Sequence, residues 1–206
     1  YAKLTVNGQS LGIYAHVERI HRPLLKRSFG NDKGVLYEGT VVDFYSGWVD
    51  SFEHKFGSDK KGRKKISNLI QVLNNPDENI ETAVGKLVDL DAFYRFWALE
   101  GLLSFWDGYS GNQNNHYVYH DPSDGKFRFI PWGTDGTWAG GHLLQFLLQG
   151  NQRDGFPSPL FWAYGIIARR LYEIPSMAEA YGNRLETLMD TLWDEEALNA
   201  EIDRVV

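Results

Sequence analysis

The chain predicts an α+β fold, because strands come first, a β-hairpin sits in the middle and helices close the sequence. Three observations carry this. Alternating residues flank Asn7-Gly8, a strong two-residue hairpin turn. The stretch from Ala92 to Phe105 is apolar on nearly every side, as a buried central helix must be. From Ser158 onward the pattern is helical, with a break near Glu173-Ile174-Pro175.

Each element follows from local chemistry. Tyr1 to Val6 and Ser10 to Glu18 alternate around the Asn-Gly turn and form the first hairpin. Pro23 to Phe29 is a short amphipathic helix closed by Gly30. Gly34 to Thr40 is a strand bounded by glycines, and residues 41 to 63 are expected to be an irregular excursion. Lys64 to Leu73 is helical and stops at Asn74-Asn75-Pro76; Asn79 to Leu87 is helical again. Asp91 is a good N-cap for the apolar helix that follows. His116 to His120 and Lys126 to Pro131 alternate around Asp-Pro-Ser-Asp-Gly and form a second hairpin. Residues 139 to 157 read as a loop with a short apolar helix around Leu143 to Leu148. The expected organisation is a strand-rich part over residues 1–63 and a larger helical part over 64–206, with no internal repeat.

Composition narrows the function. The 206 residues are 43% hydrophobic and include 7 Trp, enough for a proper core with large rings in it or lining a cleft. A net charge of −6 argues against non-specific nucleic-acid binding. The basic run Lys60-Lys61-Gly62-Arg63-Lys64-Lys65 reads as a solvated loop and first helical turn. There is no Cys, which excludes disulfides, Cys-ligated zinc and Cys nucleophiles. No apolar run reaches the length of a membrane span, and the lack of a signal peptide carries no weight in a sequence that starts without Met. The sequence opens at Tyr1 inside a strand, which suggests a fragment.

The chemistry concentrates between Trp106 and Trp138. Asp107 precedes Asn112 by five residues, with Asn114 and Asn115 next to it, and Asp135 stands before Gly136. Two carboxylates and an Asn suit a hard cation such as Mg²⁺, which takes oxygen ligands and leaves positions open for phosphate. Protein kinases carry an Asp five residues before a metal-binding Asn, and a later Asp completes the metal site. The bland alternative is that these residues cap and turn the chain. His116 and His120 lie four apart on a strand, which does not make a His-metal pair. Nothing supports a Ser-His-Asp hydrolase.

These segments together resemble the spore-coat protein H (CotH) kinase family. The resemblance rests on VNGQSLGIYAHVERI, GVLYEG, VDLDAFYRFWALEGLLSFWDGYSGNQNNHYVYH, FRFIPWGTDGTW and ARRLYEIPSMAEAYGNRLETL, and so covers essentially the whole chain, short of the family's N-terminal strands. It implies an atypical kinase-like fold, with a small strand-rich N-terminal part packed on a larger helical part. It implies ATP with Mg²⁺ or Mn²⁺ as cofactors, a protein substrate phosphorylated on Ser or Thr, and a secreted, spore-coat or cell-envelope setting. Asp107 is then the catalytic group that orients the substrate hydroxyl. Asn112 and Asp135 are the metal ligands, and Glu18 and Asn115 are assigned to the nucleotide. Glu18 would pair with a phosphate-binding Lys, which is sought in the missing strands, at Lys3 or in an Arg. The family commonly reads Pro-Trp-Asp-x-Asp, whereas this chain has Gly133 at the first Asp, which reads as a lost ligand or as a backbone need for Gly. The rival implication is therefore a non-catalytic, pseudokinase binding or interaction module.

Overall fold

In the computed structural model, residues 1–75, 79–138 and 159–205 are described. The chain divides into two compact units, Tyr1–Asp32 with Met189–Val206, and Lys33–Leu188. The fold is α+β, with eight α-helices and two small antiparallel sheets among the described residues.

The first unit holds the hairpin β1 (Ala2–Val6) and β2 (Gln9–Tyr14), paired antiparallel with an irregularity at Leu4/Thr5. The turn behaves as the Asn-Gly pair requires, with positive φ at both Asn7 and Gly8. Helix α1 (Arg22–Phe29) ends on Gly30 in the left-handed region.

The second unit is built on a four-stranded sheet in the order β4-β3-β5-β6. These strands are β3 (Val35–Gly39), β4 (Glu53–Phe56), β5 (His116–His120) and β6 (Phe127–Pro131). The expected irregular excursion over 41–63 thus contains a strand. Glu-His-Lys-Phe has no apolar alternation, and it becomes a strand by pairing with β3. Helix α2 (Asp59–Leu73) also starts earlier than its apolar residues indicate, because its first turns are basic. Helix α3 (Ile80–Gly85) is capped by the Asn79 side chain, which accepts from the Thr82 N–H.

Helix α4 (Leu90–Leu102) is the central helix, and its N-cap is Asp89 rather than Asp91. The Asp89 carboxylate accepts from the Ala92 N–H, whereas Asp91 turns outward to Arg95 and Arg184. Phe93, Phe96 and Trp97 are buried along α4. The Phe93 ring lies 5.0 Å from Phe129 of the sheet, edge to face. Trp97 stacks at 3.9 Å on Tyr181 and donates its indole N–H to the Trp162 carbonyl at 2.6 Å. Helices α5 (Tyr109–Asn112), α6 (Ile166–Tyr172), α7 (Pro175–Leu192) and α8 (Glu195–Val205) complete the set. The helical break near residue 174 is present, and a second one falls at Trp193-Asp194. The loop and short apolar helix expected over 139–157 lie outside the described residues.

Candidate functional site

The segment from Leu103 to Asn115 leaves α4, turns sharply and enters β5. Ser104, Gln113 and Asn115 all have positive φ, so the backbone folds on itself repeatedly in a short space. Buried Glu100 on α4 braces this segment. Its two carboxylate oxygens accept from the N–H groups of Tyr109 at 2.9 Å and Ser110 at 2.8 Å, which are the first two residues of α5. A carboxylate at a helix N-terminus satisfies donors that otherwise have no partner. Burial pushes the Glu100 carboxyl up to about 7, against the lowering effect of those hydrogen bonds. Gly108 is required by this packing, since a Cβ there would lie 2.4 Å from Glu100 Oε1.

A second brace holds the far side. Buried Asp43 accepts from the Tyr109 hydroxyl at 2.9 Å and from the Ile166 N–H at 2.6 Å, where α6 begins. The Tyr109 hydroxyl in turn accepts from the Ile167 N–H at 3.2 Å. Desolvation raises the Asp43 carboxyl to about 6 despite these donors. Behind the site His116 is fully buried, and burial lowers it to about 4, so it is neutral.

On this base sits Asp107, whose carboxylate is ringed by amides. Oδ1 accepts from Asn112 Nδ2 at 2.8 Å and Asn114 Nδ2 at 3.1 Å, and Oδ2 accepts from Asn115 Nδ2 at 2.8 Å. Asn114 is itself held, because its amide oxygen accepts from the Val41 N–H. Each Asn that donates its NH₂ inward turns its oxygen elsewhere, and no donor among the described residues occupies Asn112 Oδ1. After β6 the chain passes over this cluster. The Trp132 N–H donates to the Asn115 carbonyl at 3.0 Å, which fixes where the next residues go. Gly133 is left-handed at φ 56, and a Cβ there would meet Asn115 Oδ1 at 2.8 Å. A Cβ on Gly136 would lie 3.8 Å from the Asp107 Cβ and 3.3 Å from Trp106 Nε1, a buried indole N–H with no partner among the described residues. Asp135, in the 3₁₀ turn Thr134–Gly136 between them, is exposed, and its carboxylate has no partner among the described residues.

The structure therefore brings Asp107, Asn112 and Asn115 into direct contact and carries the chain at Asp135 alongside them. Glu18 belongs to the first unit. There the Arg27 guanidinium engages both of its oxygens, and that hydrogen bonding lowers the Glu18 carboxyl below its usual range. The residues that sequence reasoning passed over are Glu100, Asp43 and Tyr109. A signal for Glu100 existed: from Phe96 to Leu102 it is the one charged residue in an apolar helical run, and a carboxylate buried there must find donors.

No group of His, Asp or Glu side chains large enough to hold a metal by itself occurs among the described residues. Asp135 and Asn112 each carry a side-chain oxygen of the type a hard cation takes, alongside water and phosphate oxygens.

A family model described as CotH kinase protein matches residues 1–206. The chain belongs to the CotH family. Among curated CotH relatives, it is similar to Invasin CotH3 of Rhizopus delemar, 30% identical over 66% of this chain and 26% of the relative. Invasin CotH7 of the same organism is 25% identical over 82% of this chain and 29% of its own length. Inner spore coat protein H of Bacillus subtilis is 24% identical over 68% of this chain and 41% of its own length. The match to this CotH chain thus spans well under half of each of these relatives. No helix among the described residues is long and apolar enough to cross a membrane.

Proposed function

We propose that this chain is a CotH-type phosphotransferase domain that moves the γ-phosphoryl group of ATP to a Ser or Thr hydroxyl of a secreted, coat or envelope protein. The observation that carries the reading is the amide-ringed Asp107 beside the turn that bears Asp135. A carboxylate has about four lone-pair sites. Three of those on Asp107 are filled by Asn112, Asn114 and Asn115, which fixes its orientation and leaves room for one further donor. A substrate hydroxyl is a donor of that kind. Asp107 would accept its hydrogen as the oxygen–phosphorus bond forms and the bond to the ADP oxygen breaks.

Asp135 and Asn112 Oδ1 would hold Mg²⁺ or Mn²⁺. The ion supplies charge stabilisation on the transferring phosphoryl group. Asn115 would support the nucleotide side of the site. The names of the curated relatives, spore coat protein and invasin, support a coat or surface setting.

Gly133 favours a second reading, a pseudokinase that keeps the fold as a binding or interaction module. One assay separates the two. The chain is titrated with ATP and Mg²⁺ or Mn²⁺, and melting and label transfer from γ-labelled ATP to a Ser/Thr protein are both recorded. Ligand at a hundredfold its Kd stabilises by about 2.7 kcal/mol, which raises Tm by roughly 5–10 °C at this chain length. Under the kinase reading Asp135→Ala removes the metal-dependent shift, while Asp107→Ala keeps the shift and loses transfer. Transfer undiminished in both variants would sink the assignment. A shift without transfer in the parent would establish the pseudokinase.

A further inference from the structure

The basic run of α2 is absorbed neither by the fold nor by the Asp107 site. Lys60, Lys61, Lys64 and Lys65 are all exposed. At about 100° per residue they fall within one arc of the helix, continued by Asn68 and Gln71. The opposite face, with Gly62, Ile66, Leu69, Ile70 and Leu73, is buried in the core. Beyond Asp59 in its first turn, α2 has no carboxylate.

The neighbouring acids are engaged elsewhere. Asp59 accepts from the Tyr37 hydroxyl and from Arg63 Nε. Asp50 faces Arg63 at 3.5 Å, and Glu53 pairs with Lys55, which also bonds Glu38. No carboxylate pairs with any of the four lysines among the described residues. The charge of Lys65 is felt at His120, whose ring is held below its usual range first by burial and then by this lysine.

Such a face costs local stability. Lys60/Lys64 and Lys61/Lys65 are like charges four residues apart, each pair unfavourable by roughly 0.2–0.5 kcal/mol. They also sit at the helix end where the macrodipole disfavours cations. An anionic partner would offset both terms. The four charges span only about 8 Å of helix axis, roughly one Debye length at physiological salt. A ligand would therefore meet them as one site.

We infer that this face docks a short acidic polypeptide segment of a partner protein. The size and surroundings of the patch select that partner. The whole chain carries −6, and outside this run, which holds five of its 21 Lys and Arg, the remaining 16 face 27 Asp and Glu, a net negative balance. A membrane surface or a nucleic-acid duplex is broad and would meet that repulsion along with the lysines. Insertion into a bilayer interface would also need the apolar face of α2, which the core already occupies. A narrow acidic strand or loop can touch the lysines alone. The inference does not depend on phosphoryl transfer.

The test uses the intact chain and fluorescence anisotropy with a labelled Asp/Glu-rich peptide of about ten residues, against a neutral peptide of equal length. Phosphatidylserine vesicles and duplex DNA are the competing probes. The acidic peptide is expected to bind, and to weaken steeply between about 50 and 300 mM salt. The variant with Lys60, Lys61, Lys64 and Lys65 all changed to Gln should lose affinity roughly tenfold or more, and the Lys61→Gln/Lys65→Gln variant part of that. A variant with Lys86 and Lys126 changed to Gln should bind like the parent. Because the Gln changes relieve like-charge repulsion, their Tm should equal or exceed the parent's, which confirms folding. Unchanged peptide affinity in the quadruple variant overturns the inference. So does binding of vesicles or DNA through these lysines when the acidic peptide does not bind.

Discussion

Gly133→Asp creates the Pro-Trp-Asp-x-Asp pattern that the resemblance leads one to expect, and its cost can be worked out from the geometry. Gly133 sits at φ 56, where a side chain costs about 1–2 kcal/mol, with Asp toward the lower end. The new Cβ would stand 2.8 Å from Asn115 Oδ1 and 2.9 Å from its Cγ, closer than carbon and oxygen atoms can pack. Asn115 must swing away, and it then gives up the 2.8 Å bond from its Nδ2 to Asp107. A hydrogen bond to a charged group contributes about 1.5–3 kcal/mol when buried, and less at this half-buried position. The sum is about 2–4 kcal/mol, or roughly 5–15 °C in Tm for a chain of this length. Without a cation, a further carboxylate near Asp107 adds repulsion in the same direction. The assay is thermal melting of the apo protein beside a Mg²⁺–ATP titration. Gly133→Ala is the companion, since it carries the same Cβ without the charge and should lose a similar amount. The reasoning fails if Gly133→Asp melts with the parent and binds Mg²⁺–ATP more tightly. Gly133 would then be a lost ligand and nothing more.

Other outcomes follow from the two braces. Glu100→Gln sets an NH₂ against one of the two N–H donors and should lower unfolding free energy in urea by about 2–3 kcal/mol. Glu100 is raised from 4.5 to about 7, so its neutral form stabilises the fold fully below about pH 4.5, and that contribution is lost as pH rises through 7; Glu100→Gln should flatten this part of the stability–pH curve. His116 is lowered from 6.5 to about 4, so its contribution is full above 6.5 and is lost as pH falls through 4. His116→Phe should therefore remove part of the acid sensitivity in that window, measured by urea midpoints from pH 7 to 4. Tyr109→Phe deprives Asp43 of a donor and the Ile167 N–H of an acceptor, and should cost about 1–3 kcal/mol in the same measurement.

What the sequence revealed depended on how local the deciding interaction is. Asn7-Gly8 dictates its own backbone, and the alternation of residues 116–120 and 127–131 shows directly in the pairing of β5 and β6. The Asp107–Asn112 spacing was readable because both residues belong to one tight segment. Strand β4 was not readable, since Glu53 to Phe56 is extended only because β3 lies beside it. Asp91 reads as the cap by composition, but Asp89 takes that place, and distant Arg184 helps draw Asp91 to the surface. Asp43 meets Tyr109 and Ile166 across separations of 66 and 123 residues, which no local pattern reports.

The ring of amides around Asp107 also bears on the protein's chemical lifetime. Asn is among the thermolabile side chains, and its slow loss of ammonia turns an amide into a carboxylate. At Asn112, Asn114 or Asn115 that change would replace an N–H donor with an oxygen anion facing Asp107. One such event, a shift of a single mass unit, would set two negative charges where a hydrogen bond had been. Old preparations would then lose the centre of the site while the fold around Glu100 and Asp43 stayed intact.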